Sequence, residues 1–196
     1  MISLPLPFTL PAELEAQLRA AYAEPPRAYH NFEHVGEVLE HMASVGRWDD
    51  EPSVAFAVLF HDAVYVAGHS DNEQRSAQLA VALVPKAFPA ANLRRIEELI
   101  LLTAKHGRLE AKDVDPEAAL FLDCDMAILG AAVERYDMYE RQIASEYAAI
   151  PEELYRAGRA SFLRGLLAKP RLYLSDEFHE RLEARARENI RRALGG

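Results

Sequence analysis

At 196 residues, half of them hydrophobic, the chain can bury a full-sized core and is too apolar to be disordered. Its formal charge of −9, from 22 basic against 31 acidic residues and with no basic block before the last helical segment, argues against duplex nucleic acid, which is bound mainly by basic residues displacing counterions. A single cysteine, Cys124, excludes an intramolecular disulfide, no apolar run approaches the ~20 residues that span a bilayer, and the proline-interrupted start Met1-Ile-Ser-Leu-Pro-Leu-Pro-Phe lacks the charged opening of a signal peptide; a cytoplasmic protein without a membrane partner is expected.

Taken in chain order, nearly every segment reads as helix. Leu10-Pro11-Ala12-Glu13 opens one that runs to about residue 22, ahead of Pro25-Pro26. Over 33–45, Val35, Val38, Leu39, Met42 and Val45 recur at helical spacing, which puts His34 at the edge of a buried stripe. Residues 52–67 are apolar nearly all round, as in a central helix, and this helix would carry His61 and Asp62 midway. Amphipathic helices follow over 72–84 and 92–103, separated by Pro85 and Pro89. Asp115-Pro116-Glu117 combines a cap, a first-turn proline and an acidic residue, and opens a helix through Asp123 and Asp125 to Leu129, with Gly130 as its stop. Further helices are expected over 133–147 and 151–167. A last one begins at Ser175-Asp176-Glu177, with Phe178, Leu182, Ile190 and Leu194 facing inward. No linker composition or internal repeat interrupts the chain, so the expectation is an all-α, single-domain helical bundle over 1–196.

Within that pattern the chemistry concentrates at three places: Tyr29-His30-Asn31-Phe32-Glu33-His34, Phe60-His61-Asp62, and Leu122-Asp123-Cys124-Asp125. A carboxylate or imidazole in an apolar stretch loses hydration worth several kcal/mol, so it neutralises, pairs or binds a metal. Imidazole with carboxylate is a mixed nitrogen and oxygen donor set suited to Mn, Fe, Co, Ni or Zn. His30 is four residues before His34, so on a helix both face one side. Asp123 and Asp125 are two residues apart, so on a helix they point about 200° apart and one site takes only one of them. Cys124 reads as a small buried hydrophobe.

This ordered set resembles the HD superfamily of metal-dependent phosphohydrolases, whose pattern is an upstream His, an adjacent His-Asp pair and a later Asp, all on helices. The likeness covers about 29–173. Tyr-His-Asn-x-x-His is also similar to the start of the cyclic-nucleotide phosphodiesterase catalytic domain, a distant relative. The stretch around His61, continuing to Asp71-Asn72-Glu73 and Ser76, looks like a bacterial branch of predicted phosphohydrolases. The resemblance implies that His34, His61, Asp62 and Asp125 hold one or two divalent ions (Mn, Mg, Co, Ni, Fe or Zn). Asp62 would also take part in catalysis, and His30 would protonate the leaving group. It favours Asp125 over Asp123 as ligand, leaving Asp123 to orient a ligand or pair with an Arg. His106, Glu73 and Lys105 are further candidates for a second metal or for substrate. The implied activity is hydrolysis of a phosphate ester in a small phosphorylated metabolite or nucleotide. Two alternatives stay open: a di-iron oxygenase of the same superfamily, for which His106 and His30 would be extra ligands, and a non-catalytic metal- or nucleotide-binding module. Substrate and oligomeric state are not readable.

Overall fold

A computed structural model describes residues 4–195, and all regular secondary structure among them is helical, as the periodicity requires. Met1 to Ser3, with which the segment read for a signal peptide begins, and Gly196 lie outside the described residues. No helix among the described residues is long and apolar enough to cross a membrane. The backbone forms two compact units, Met1–His106 and Gly107–Gly196, each taken by itself below.

The first unit holds α1 (Ala12–Tyr22), α2 (Phe32–Val45), α3 (Glu51–Phe60), α4 (Asn72–Ala87) and α5 (Leu93–Thr103), and α3 packs against α2, α4 and α5. The reason lies in the sequence of α3. Every residue from Val54 to Phe60 is at most 1% exposed, so the helix has no polar face to present to water. Burying each of its large side chains contributes about 1.5–3 kcal/mol. Asp50 caps α3, accepting from Ser53 N at 3.3 Å and Ser53 Oγ at 2.8 Å, and Pro52 occupies the first turn. α2 starts on Asn31, whose Oδ1 accepts from the N–H groups of Glu33 (2.8 Å) and His34 (3.3 Å). It ends at Gly46, where φ is +68°, a conformation that a side chain strains.

α3 is shorter than the apolar run suggests. Instead of continuing to residue 67 it stops at Phe60, and His61 and Asp62 lie in the turn that follows. Backbone groups beyond Phe60 find other partners than the next helical turn. Arg27 donates to the carbonyls of Asp62 (2.6 Å) and Ala63 (2.9 Å). Ser76 Oγ accepts from Val64 N–H at 3.0 Å and donates to Val64 O at 3.1 Å, and Asn72 clamps both backbone groups of Val66 at 2.9 Å. Tertiary polar partners thus override helical periodicity, and Asn72 and Ser76 hold the loop that leads away from the His-Asp pair.

In the second unit, α6 (Pro116–Met126) is capped by Asp115, which accepts from Ala118 N at 2.9 Å, and passes into a 3-10 turn over Ala127–Gly130. α7 (Val133–Glu146), α8 (Glu152–Ala168) and α9 (Asp176–Ala193) complete it. Phe178, Leu182, Ala186 and Ile190 form the buried stripe of α9, while Leu194, just past its end, is only half-buried. The segment before α9 is tied down by buried polar groups, above all Glu183. Its carboxylate accepts from Leu172 N–H and Tyr173 N–H (3.0 and 3.3 Å) and from Arg187 Nε (2.7 Å), and lies 3.2 Å from His179 Nδ1.

Burial alone would push the Glu183 carboxyl up. The two backbone donors, Arg187 and His179 outweigh burial and hold it below its ordinary value of 4.5. A lowered carboxylate stabilises the fold above the ordinary value, and that contribution fades as pH falls through the lowered one. Glu183→Gln is therefore expected to flatten the loss of stability on acidification in this acid window, read from urea unfolding at a series of pH values. A slope identical to wild type would rule out this role.

Candidate metal centre

Three donor atoms from separate positions of the first unit converge. His34 stands in the first turn of α2 and is 2% exposed; His61 ends α3 and is 1% exposed. Their Nε2 atoms lie 3.1 Å apart. Asp62 Oδ2 lies 3.0 Å from His61 Nε2 and 3.7 Å from His34 Nε2. The Asp62 side chain keeps 15% of its surface exposed, so the cluster is open to solvent on the carboxylate side.

The tautomer of His61 sharpens this geometry. Its Nδ1 is 2.9 Å from the Val58 carbonyl, which only accepts, so Nδ1 carries a proton and Nε2, which in a neutral ring holds the lone pair, faces the cluster. In that form the lone pair would meet the lone pairs of the Asp62 carboxylate at 3.0 Å. Two acceptors at such a distance repel unless a positive charge lies between them. One proton satisfies one pair; a divalent cation satisfies all three donors together. Metal–nitrogen and metal–oxygen bonds of about 2.0–2.1 Å put neighbouring ligand atoms about 2.8–3.4 Å apart in octahedral or tetrahedral geometry. The observed separations of 3.0, 3.1 and 3.7 Å fall at or near those edges, and the backbone bond that fixes His61 is the usual support of a metal-bound imidazole. The donor set fits a divalent cation.

His30 differs from expectation in its element. It precedes the Asn31 cap and lies in the turn before α2, not on the helix, because Asn31 takes the orphan N–H groups of the first turn. The ring nevertheless comes close, its centroid 6.0 Å from that of His34. It stacks on Tyr65 at 4.1 Å with 27° between planes and meets Tyr29 edge-on at 5.0 Å.

Sequence reasoning passed over two residues here. Tyr65 was absorbed into an apolar run read as helix. Arg27 donates to the carbonyls of His30 (2.9 Å), Asp62 and Ala63. Its one available signal is that it is the sole Lys or Arg between Arg19 and Arg47.

The remaining candidates lie on other elements. Glu73 is the half-buried second residue of α4, Lys105 is exposed in the turn after α5, and His106, next to it, is half-buried. In the second unit Asp123 and Asp125 both lie on α6, as expected, and are treated differently by their surroundings. Asp123 is 2% exposed and accepts from Leu174 N–H (2.8 Å), Ser175 N–H (2.7 Å) and Ser175 Oγ (2.6 Å), anchoring the start of α9. Asp125 is half-buried. Cys124 between them is buried, and burial, followed by the charges of Asp123 and Asp125, pushes its thiol well above the ordinary range, so it stays a neutral thiol. No family model matches the chain, and neither a curated protein nor a solved structure was found to match it.

Proposed function

We propose that the chain is a metal-dependent phosphohydrolase acting on a phosphate ester of a small phosphorylated metabolite or nucleotide. The observation that carries this reading is the convergence of His34 Nε2, His61 Nε2 and Asp62 Oδ2 within 3.0–3.7 Å, one side open, with the imidazole of His30 alongside. Those three residues are the proposed ligands of a divalent ion (Mn, Mg, Co, Ni, Fe or Zn), one or two per chain, and the resemblance adds Asp125 as a fourth. When bound, such an ion polarises a phosphoryl oxygen and lowers the pKa of a coordinated water toward neutrality.

The chain's own residues then have separable tasks. His61, locked by Val58, keeps its lone pair on the cluster, and Asp62 orients the attacking water through its carboxylate. The water gives up a proton to the Asp62 carboxylate, from which it passes through solvent to restore His30 after turnover, and the water oxygen bonds to phosphorus as the ester P–O bond breaks. His30 gives its proton to the departing alkoxide oxygen, releasing an alcohol and phosphate. Imidazole is the side chain most often used to pass a proton near neutrality.

The test is metal analysis of purified protein together with phosphate release from a panel of phosphorylated metabolites. Wild type is expected to retain about one or two divalent transition ions per chain, as several imidazole and carboxylate donors imply. Asp125→Asn should lower metal content and turnover far more than Asp123→Asn. Asp123→Asn should instead lower stability, by about 1–3 kcal/mol in urea unfolding, because buried N–H donors lose their charged acceptor. Comparable metal loss in both variants, or the reverse ranking, would remove Asp125 as the ligand. No retained metal and no phosphate release with any of the six metals would remove the proposal itself.

A further inference from the structure

Arg27 lies outside the donor cluster, yet it touches two of the segments that have to be aligned around it. One guanidinium nitrogen, Nη1, donates to the carbonyls of His30 at 2.9 Å and Asp62 at 2.6 Å, and Nη2 donates to Ala63 O at 2.9 Å. The guanidinium carbon also lies 5.1 Å from the ring centre of Tyr22 and 5.6 Å from that of Tyr65, the ring on which His30 stacks. Residues 30 and 62 lie in different turns of the chain. The Asp62 and Ala63 carbonyls are among those that a continued α3 would have paired within the helix, so Arg27 stands in for the missing turn.

From this we infer that Arg27 is a positioning residue, one that holds His30 and the His61-Asp62 turn in a fixed relation; its bearing on catalysis rests on the phosphohydrolase reading above. Charged donors on neutral carbonyls make strong hydrogen bonds. The planar fork of a guanidinium reaches three acceptors in fixed directions, which a lysine ammonium on a flexible stem does not. Outer groups that orient metal ligands typically change metal affinity by about 10–100-fold when removed. Arg27 acts on Asp62 in this way through the backbone, and on His30 through both its carbonyl and its stacking partner.

The experiment uses Arg27→Met and Arg27→Lys in the full chain, with three readouts: Mn²⁺ affinity against a competing chelator, the His30 Hε1 NMR resonance of metal-free protein, and thermal unfolding. The resonance is assigned by its absence from His30→Ala. In wild type it should be displaced upfield by stacking on Tyr65. In Arg27→Met it should move toward the position of a solvent-exposed histidine such as His69, and Mn²⁺ affinity should fall by about 10–100-fold; Arg27→Lys should lie between. Unchanged resonance and affinity in a folded Arg27→Met, even with a lower Tm, would make Arg27 a purely structural residue and overturn the inference. Should Arg27→Met fail to fold, Arg27→Lys decides by the same two readouts. If wild type binds none of the six metals, the phosphohydrolase reading loses its support, while the His30 resonance still decides whether Arg27 sets the geometry.

Discussion

Asp62→Ala is expected to abolish metal retention and phosphate release while leaving the helical circular dichroism of the protein nearly unchanged. The two effects separate because Asp62 lies beyond the last residue of α3, in a turn whose backbone is held independently. Its carbonyl is bonded by Arg27, and Ser76 and Asn72 clamp the residues that follow, so removal of the carboxylate leaves the path of the chain in place. What is lost is the acidic donor 3.0 Å from His61 Nε2. Two imidazoles with Asp125 as the one remaining carboxylate offer less charge to offset the dehydration of a divalent ion, so retention through purification should fail. A Lewis acid contributes several kcal/mol of transition-state stabilisation. At about 1.4 kcal/mol per decade this corresponds to a loss of roughly 10³-fold or more in kcat/KM. Asp62→Asn keeps the volume and should behave alike, which separates charge from packing. Full metal occupancy in either variant would remove Asp62 from the ligand set.

Why the sequence reads well in some places and poorly in others follows from the range of the forces involved. Caps act within one turn, so Asp115, Ser175 and the polar residues ahead of α3 and α5 mark their helix starts directly, and the all-α class follows from spacing alone. The buried histidines and Asp62 stood out because an ionisable group in an apolar run demands a partner, and His34, His61 and Asp62 do converge.

The misreadings arose where a distant side chain took over a backbone group. Hydrophobicity continuing to Val66 predicts a longer α3, whereas Arg27, 35 residues upstream of Asp62, takes the carbonyls beyond Phe60. A spacing of four suggests that His30 and His34 share a helix face, whereas Asn31 claims the cap position and leaves His30 in the turn before it. Asp123 gave no hint in sequence that its three partners lie some 50 residues further on, at Leu174 and Ser175. Contacts of that span leave no periodic trace.

His30→Ala is expected to keep metal content near wild type and to slow hydrolysis of alkyl phosphate esters by roughly 10²–10⁴-fold, the usual range for loss of a general acid. The fold should tolerate the change well. His30 lies in a turn ahead of the Asn31 cap, and the bond from Arg27 goes to its backbone carbonyl, which alanine retains. What disappears is the ring stacked on Tyr65 at 4.1 Å, 6.0 Å from the ring of His34. A stack of this kind fixes the imidazole plane without consuming the proton it would deliver. The defect should depend on the leaving group: an alkoxide is a strong base and needs the proton as the P–O bond breaks, whereas p-nitrophenolate departs largely unaided. The ratio of wild-type to variant rates should therefore shrink markedly with p-nitrophenyl phosphate. An equal defect on both substrates would show that His30 positions rather than protonates. If His30→Ala strips the metal, His30 is itself a ligand and a two-metal site replaces the single centre. The oxygenase alternative then becomes the reading to pursue, with iron content and oxygen consumption as its direct measurements.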